Sequence, residues 1–595
     1  MTDLWTRLKQ RKLVQWAVAY VAFAFALLQG IDIVAQQFGW PVFVQRGITL
    51  ALALGFFIAL LLAWYHGDQG RQRVSGTELL LIALLLGFGG GFLWWVAGPP
   101  GAQTDSSITL SAPSPAGSAE SPPAVAAVPA TVPNKSVAVL PFANESGDKD
   151  EQFFSDGLTE DLITALSQFA GLKVINRNSS FHFRNSSDSV AAIAARLGVA
   201  HLLQGGVRRL GQEVRIRAEL VDAADGSTVW SQHYDRPYKD LFKLQDDITR
   251  SVADALKARL LEQAVQSDRP PSGNLAAYEA YLKAIAQPKT QAGVRQAIAL
   301  FQQAIRIDPA YAQAYARLSW SWSYLAAALG VGDAEIRQSF DRARAAADKA
   351  LRLQPNSVAA HFSRAFILLN ADLDWQGTLS ESRAMTSLAP DDRSSQNVRS
   401  QILTALGHPR QSEAANRKVI ALDPLSGGVY EQLALDLRAQ GRLDASVAAL
   451  HKAIELAPGD SRLHANLALV ELLRGDRTAA LKAARGEAPG FWRDFADTAV
   501  LQSGPDRRAA DAALAQMVEQ RPDSGAYQIA ELYALREEPD QMFEWLDRSW
   551  AQRDPGIQHL LTDPFVLRYK DDPRFAAYCR KVGLPVPDGS VQTAG

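Results

Sequence analysis

The sequence predicts a multidomain protein with a three-helix transmembrane region, an α/β domain with a mixed sheet, and an all-α solenoid of helical repeats. Three observations predict this fold class. The N-terminal part holds three apolar runs without charged residues. A block of alternating strand-like and helix-like patterns follows a proline-rich stretch. In the last half of the chain, segments that end in proline recur about every 34 residues.

Composition limits the function classes. A chain of 595 residues is too long for one hydrophobic core, since single domains seldom exceed about 300 residues, so several domains are expected. The 61 basic and 63 acidic side chains give a net charge of -2, which predicts no nucleic-acid partner. The lone Cys579 excludes an internal disulfide and a multi-cysteine metal site.

Residues 1–97 are predicted to form three transmembrane helices, because runs 14–31, 47–65 and 79–96 contain no Asp, Glu, Lys or Arg. Each run approaches the roughly 20 residues that a helix needs to cross a bilayer. A charged head before the first run also fits a signal peptide, but two further runs follow at once and favour an uncleaved anchor.

Basic residues near the runs predict orientation, since such residues favour the cytoplasmic side. The loop between the first two runs has only Arg46, and 97–134 has no basic residue. This pattern predicts a bacterial inner-membrane protein with a cytoplasmic N-terminus and periplasmic C-terminal domains. The six residues that carry the prediction are Arg7, Lys9, Arg11, Lys12, Arg71 and Arg73.

Two glycine-containing stretches invite functional hypotheses. The hairpin around His66 and Asp68 lacks an accompanying base or metal set, so a polar turn between two spans is favoured over an active site. Gly87 and Gly91 have the GxxxG spacing that lets membrane helices approach closely. A homodimer through the membrane spans is one hypothesis, and packing against a neighbouring span of the same chain is the favoured one.

Residues 98–134 are predicted to be a linker, because eight prolines lie among Ala, Ser and Gly with few large apolar residues. Residues 135–262 then show the order βαβαβββα. In this block "SVAVLPF" is a β-rich run and "FFSDGLTEDLITALSQF" carries a helical apolar stripe. Charged and apolar side chains alternate over residues 213–220, which predicts a strand with one solvent-exposed face.

The block 135–262 resembles the amino-terminal domain of TolB and the related FlgO-like domain. The segments that carry the resemblance are "VAVLPFANES", "FFSDGLTEDLITALSQF", "LGVAHLLQGGVRRLGQEVRIRAELVDAADGSTVWSQHYDR" and "DITRSVADAL". The resemblance implies a sensing or protein-contact module without known catalysis, of the kind found in membrane-bound winged-helix regulators and some adenylate cyclases. About a dozen residues precede the first run, so neither a DNA-binding nor a cyclase domain is expected there.

Residues 272–540 are predicted to be repeats that resemble the tetratricopeptide family, closed by a capping element over 541–586. The repeat-ending prolines are spaced by 46, 35, 34, 34, 31 and 33 residues. The longest interval predicts an insertion near "VGDAEIRQSFDR", and the shortest predicts a degenerate unit near "APGFWRDFAD". These prolines are Pro309, Pro355, Pro390, Pro424, Pro458, Pro489 and Pro522.

Such an array presents a curved surface that binds extended segments of other proteins. The first helix of each repeat lines that surface, which makes Trp320, Glu431, Arg438 and Asn466 candidate contact residues. The alternative for each is a solvated residue without a binding role. The aromatic run "YARLSWSWSYL" fits inter-repeat packing better than a cofactor box, and no cofactor or metal is expected.

The sequence therefore predicts a membrane-embedded scaffold or sensor with a protein or peptide partner on the repeats. The rival hypothesis is a receptor that passes an envelope signal to a separate cytoplasmic effector. A third, an enzyme, is disfavoured because no P-loop, zinc-ligand pattern, GxSxG elbow or paired-carboxylate signature is present.

Overall fold

The computed structural model describes residues 132–260, 268–328, 333–520 and 525–587. Within these ranges an α/β domain precedes eight helix pairs and a C-terminal element. The predicted linker, apart from residues 132–134, and all three predicted membrane runs lie outside them, as do the six orientation residues, Gly87 and Gly91.

The predicted fold class needs correction in its transmembrane part. No helix of the described ranges combines the length and the apolar character that a bilayer crossing requires. The longest of them, Asp333–Leu353, has 21 residues, but nine are charged, because it is an amphipathic helix with one face packed on its neighbours. The described architecture is largely helical with a small sheet. The predicted inner-membrane location depends on those spans and is likewise not supported by the described helices.

The sheet of the α/β domain is mixed. Its strand order is β4-β1-β5-β6-β7, with β2 beside β5. β1 runs parallel to β4 and β5, whereas β5, β6 and β7 form an antiparallel meander. A separate pair joins β3 and β8. The strands are β1 Ser136–Val139, β2 Ala143–Asn144, β3 Phe169–Ala170, β4 Lys173–Val174, β5 His201–Leu210, β6 Glu213–Asp222, β7 Thr228–Pro237 and β8 Arg259–Leu260.

Helices cover both faces of this sheet. Helices α1 and α4 share one hydrophobic core with the alternate residues of β6, as Leu158, Ile248 and Ile216 show. On the other face Ile193 packs against Leu202. The helices are α1 Gln152–Leu166, α2 Arg177–Phe181, α3 Val190–Leu197 and α4 Leu241–Ala255.

Eight antiparallel helix pairs, here named repeats 1 to 8, follow in the described residues. A pair of amphipathic helices cannot bury its apolar faces alone, so each pair stacks on the next. The pairs are α5 Leu275–Ile285 with α6 Gln291–Ile307, α7 Ala312–Ala328 with α8 Asp333–Leu353, α9 Val358–Ile367 with α10 Trp375–Leu388, α11 Arg393–Ala405 with α12 Pro409–Leu422, α13 Gly427–Ala439 with α14 Leu443–Leu456, α15 Leu463–Leu473 with α16 Arg477–Gly486, α17 Phe491–Gln502 with α18 Arg507–Gln520, and α19 Ala526–Leu535 with α20 Pro539–Ala551.

The repeat-ending prolines mark the ends of the second helices. Helices α6, α8, α10, α12 and α14 each end two residues before a proline, which cannot supply the next backbone N–H. The residue five positions before each of these prolines is fully buried, as at Ala304, Ala350 and Ala453. The 46-residue interval corresponds to the long helices of repeat 2, which have 17 and 21 residues.

A C-terminal element follows repeat 8 and folds back across the array. It comprises two 3-10 turns, Pro555–His559 and Val566–Tyr569, and helix α21, Pro573–Val582. Its Leu561 packs at Gly407, where an added side-chain carbon would lie 3.1 Å from the Leu561 Cβ. The C-terminal element thus contacts repeat 4.

Candidate protein-binding surface

The first helices of repeats 4, 6, 7 and 8 contribute side chains to one hydrophobic cluster, and Arg438 of repeat 5 lies near it. This face of repeats 4 to 8 is here named the inner surface. The C-terminal element lies against this surface and shares one hydrophobic cluster with it. Ile402 of α11, Leu469 of α15 and Phe495 of α17 belong to this cluster together with Leu560 and Phe565 of the C-terminal element. The inner surface of these repeats is therefore occupied by the chain's own C-terminal residues.

Two of the four sequence-predicted contact residues bind each other inside the array. Glu431 is only 4% exposed, and its carboxylate accepts two hydrogen bonds from Arg462, at 2.8 and 3.0 Å. The Asn466 amide donates a third, at 2.8 Å. Glu431 and Asn466 thus tie repeat 5 to repeat 6, and the Glu431 carboxylate raises the pKa of the Arg462 guanidinium.

Arg438, the third predicted residue, is 5% exposed. Its Nε and Nη1 atoms find no hydrogen-bond acceptor among the described residues. The guanidinium lies near the C-terminal element, where His559 is partly buried. Burial of the imidazole, followed by the charges of Arg438 and Arg462, lowers the pKa of His559 to about 4. The guanidinium of Arg438 therefore lies close to the C-terminal element, together with the Asp563 carboxyl group.

Tyr527 of α19 holds the C-terminal element at two aspartates. Its backbone N–H donates to Asp554 at 3.0 Å, and its hydroxyl donates to Asp563 at 3.2 Å. Asp563 is fully buried, and burial together with the Asp563 charge raises the pKa of Glu531 beside it.

Trp320, the fourth predicted residue, remains partly exposed. Its ring centroid lies 5.2 Å from that of Phe362, 5.0 Å from that of Phe366 and 6.1 Å from that of Tyr324. These four side chains, here named the aromatic patch, are all partly exposed and lie on α7 and α9, the first helices of repeats 2 and 3. Trp322 instead packs in the core.

The helical period explains why the tryptophans of "YARLSWSWSYL" separate. Residues four apart share a helix face, so Trp320 and Tyr324 lie together, whereas Trp322 faces the opposite way. The spacing of the tryptophans is therefore the sequence signal that separates Trp320 from Trp322.

The structure does not bring together the histidines of the α/β domain. The His201 ring lies 3.2 Å from the Ser136 carbonyl oxygen, and His233 is exposed on β7. In the described ranges no group of three or more His, Cys, Asp or Glu side chains could hold a metal ion.

Sequence reasoning missed the contacts between the α/β domain and the array. Arg317 of repeat 2 forms an ion pair of 2.8 Å with Glu160 of α1. Ser179 of α2 donates a 2.6 Å hydrogen bond to Asp423, in the turn after repeat 4. Asp268 lies in this buried polar region, and its burial raises its pKa to about 6. Residues more than 150 positions apart meet here, and no local pattern marks such pairs.

Comparison with known proteins gives two matches by sequence. Residues 133–251 match the second domain of HilA/YgeH-like transcriptional regulators. A protein of Rhizobium meliloti (strain 1021) named "Putative adenylate cyclase 3" is 39% identical over 214 residues, which cover 35% of this chain and 36% of that protein. The chain thus spans about a third of the length of this curated relative. Both matches are consistent with the predicted relationship to regulators and cyclases, and neither shows a TolB-type or FlgO-type domain.

Three solved structures align with this chain at low identity. A Parabacteroides merdae repeat protein aligns at 14% identity with a TM-score of 0.33, over 44% of this chain and all of the other. Pseudomonas aeruginosa pilF aligns at 16% identity with a TM-score of 0.29, over 38% of this chain and 96% of the other. Yeast Tom70 aligns at 16% identity with a TM-score of 0.32, over 54% and 70%. The stacked helix pairs of this chain form a helical-repeat array.

Proposed function

We propose that this protein is a protein-interaction scaffold whose repeat array binds an extended segment of a partner protein at the aromatic patch. Helical-repeat arrays present a continuous surface to such segments. The α/β domain contacts the same array through Glu160 and Ser179. We further propose that this domain is related to TolB-type and FlgO-type modules.

The aromatic patch is the observation that carries this proposal. Its four side chains remain partly exposed, although burying a large aromatic side chain is favourable in free energy. They are Trp320, Tyr324, Phe362 and Phe366. Exposed tryptophan and tyrosine clusters are where binding free energy concentrates in protein interfaces. The patch therefore fits apolar or aromatic side chains of a partner segment.

A panel of selected peptides tests the proposal. Peptides are selected from a random displayed library on the full chain, and their dissociation constants are measured by fluorescence anisotropy. We expect the Trp320→Ala variant to bind them at least tenfold more weakly. The matched control is Phe181→Ala, which removes a partly buried ring of the α/β domain and should leave binding unchanged. Equal affinity for the wild type and Trp320→Ala, or a failure to enrich any peptide, would contradict the proposal.

A regulatory role is the second candidate function, favoured by the buried contacts between the α/β domain and the array. The domain matches a module of transcriptional regulators. A ligand bound to the domain would change the binding affinity of the array through the Arg317–Glu160 ion pair. That the chain is not itself an enzyme stays a prediction, which an assay for cyclic AMP formation from ATP by the purified protein would test.

A further inference from the structure

We infer that the inner surface of repeats 4 to 8 is a second binding site, for a protein segment that carries an Asp-Pro turn and an additional carboxylate. Residues 554–567 of the chain itself, here named the resident segment, fill that site in this structure. The inference rests on the proposed function in assigning segment binding to the array, but it concerns a different surface from the aromatic patch.

The resident segment shows which chemistry the site recognises. Its sequence "DPGIQHLLTDPFVL" contains two Asp-Pro pairs, and Tyr527 donates a hydrogen bond to the aspartate of each. Each aspartate also accepts from the backbone N–H two residues on, at Gly556 and Phe565, both at 2.8 Å. Tyr527 therefore holds both turns, the first through its backbone N–H and the second through its hydroxyl.

Large apolar side chains follow both turns and enter the array. Ile557 and Phe565 are fully buried, as are Leu560 and Val566, and all join the hydrophobic cluster of the inner surface. At the first turn Gly556 lies against Tyr527, where an added side-chain carbon would come within 2.6 Å of the tyrosine Cβ. An Asp-Pro turn followed by an apolar residue is thus the unit that fits this surface.

Arg438 indicates that the resident segment is an incomplete ligand. The guanidinium is almost fully buried, yet Nε and Nη1 have no acceptor among the described residues. The segment brings His559 and Asp563 into this region. The Asp563 carboxylate accepts from Tyr527 and Phe565 and does not pair with Nε or Nη1 of Arg438. His559 is a poorer acceptor for a guanidinium than a carboxylate is. A competing segment with Glu or Asp at this point would satisfy donors that the resident leaves unpaired.

Competition is nevertheless biased toward the resident segment, because a tethered ligand has a millimolar effective concentration. An external segment must therefore overcome the tether with the extra ion pair at Arg438. Its binding would release the resident segment from repeat 4, where Leu561 packs at Gly407.

The test uses the full chain and two fluorescein-labelled peptides. One has the sequence of residues 553–568, "RDPGIQHLLTDPFVLR", and the other carries His559→Glu. Asp563→Ala in the protein weakens the resident segment. We expect the labelled peptides to bind Asp563→Ala at least tenfold more tightly than the wild type, and the glutamate peptide to bind about tenfold more tightly than the histidine peptide. Arg438→Gln, added to Asp563→Ala, should abolish that preference.

Three controls keep the outcomes separable. Circular dichroism must show that Asp563→Ala is folded. Trypsin cleavage of the wild type at Arg568 gives a readout without any variant, because excess glutamate peptide should displace the resident segment and accelerate this cleavage. Trp320→Ala should leave this peptide affinity unchanged, so failure here is distinct from failure at the aromatic patch. Absence of saturable binding together with unchanged cleavage, or a preference that survives Arg438→Gln, would overturn the inference.

Discussion

The indole N–H of Trp375 donates a hydrogen bond of 2.8 Å to the backbone carbonyl of Val582, 207 positions further along the chain. The indole is almost fully buried in the cluster that also contains Leu369 and Phe575. Repeat 3 is thereby joined to the last helix of the described chain.

Replacing Trp375 by Phe should loosen this closure. The substitution removes the donor and leaves the Val582 carbonyl without its partner, which costs about 1–3 kcal/mol. We expect a lower free energy of unfolding in urea and faster trypsin cleavage after Lys581. Trp550→Phe, at a partly exposed ring in α20, is the matched control and should change little. Equal stability of the two variants would argue against closure at this point.

Breaking the pair between repeats 5 and 6 should cost more than breaking a surface pair. In Glu431→Gln the buried carboxylate is lost while Arg462 stays charged, so we expect a loss of roughly 1–3 kcal/mol in unfolding free energy, reduced by the partial exposure of Arg462. Asp444→Asn removes the exposed partner of Arg474 and should cost less than about 0.5 kcal/mol. Urea denaturation measures both, and equal losses would contradict the prediction.

Because of Asp268, the contacts between the α/β domain and the array should become less stable as pH rises. Its pKa is about 6 in the fold and near 3.8 when unfolded, so the folded protein holds the proton more tightly. Its stabilising contribution is fully present below pH 3.8 and is lost as pH rises through 6. We expect Asp268→Asn to be more stable than the wild type at pH 7.5, with the difference shrinking toward pH 4, in urea titrations. A constant difference would refute this assignment.

His559 should act in the opposite direction. Its pKa falls from 6.5 to about 4 on folding, so the unfolded chain takes up the proton first. The contribution of the neutral ring is present above pH 6.5 and is lost as pH falls through 4. The wild type should therefore lose more thermal stability than His559→Gln between pH 7 and pH 4.5, measured by circular dichroism. Parallel melting curves over this range would show that His559 does not titrate in this way.

Local chemistry made the repeats predictable. Proline cannot continue a helix, and small residues are needed where helices touch, so Pro458 and Ala453 mark the end of repeat 5 in the sequence as they do in space. The alternation over 213–220 likewise reflects a strand with one buried face, which β6 has.

Contacts between distant segments were not predictable. The repeat register predicts Arg438 on a binding surface, but only the structure shows that it is buried and that His559, more than a hundred positions later, lies near it. The Ser179–Asp423 bond and the two-residue strands β2, β3 and β8 left no pattern long enough to detect. Apolar runs such as 79–96 predict membrane helices, whereas no helix of the described ranges is long and apolar enough to cross a membrane.

The contacts of the C-terminal element with repeats 3 and 4 change how the array should unfold. An open helical-repeat stack contacts only nearest neighbours, so it frays stepwise from a free end. Here the terminal helix cannot leave without also exposing the middle of the stack, as Trp375 and Gly407 lose their cover. Repeats 3 to 8 should therefore lose their structure in a single cooperative step, with slow hydrogen exchange extending to the last helix.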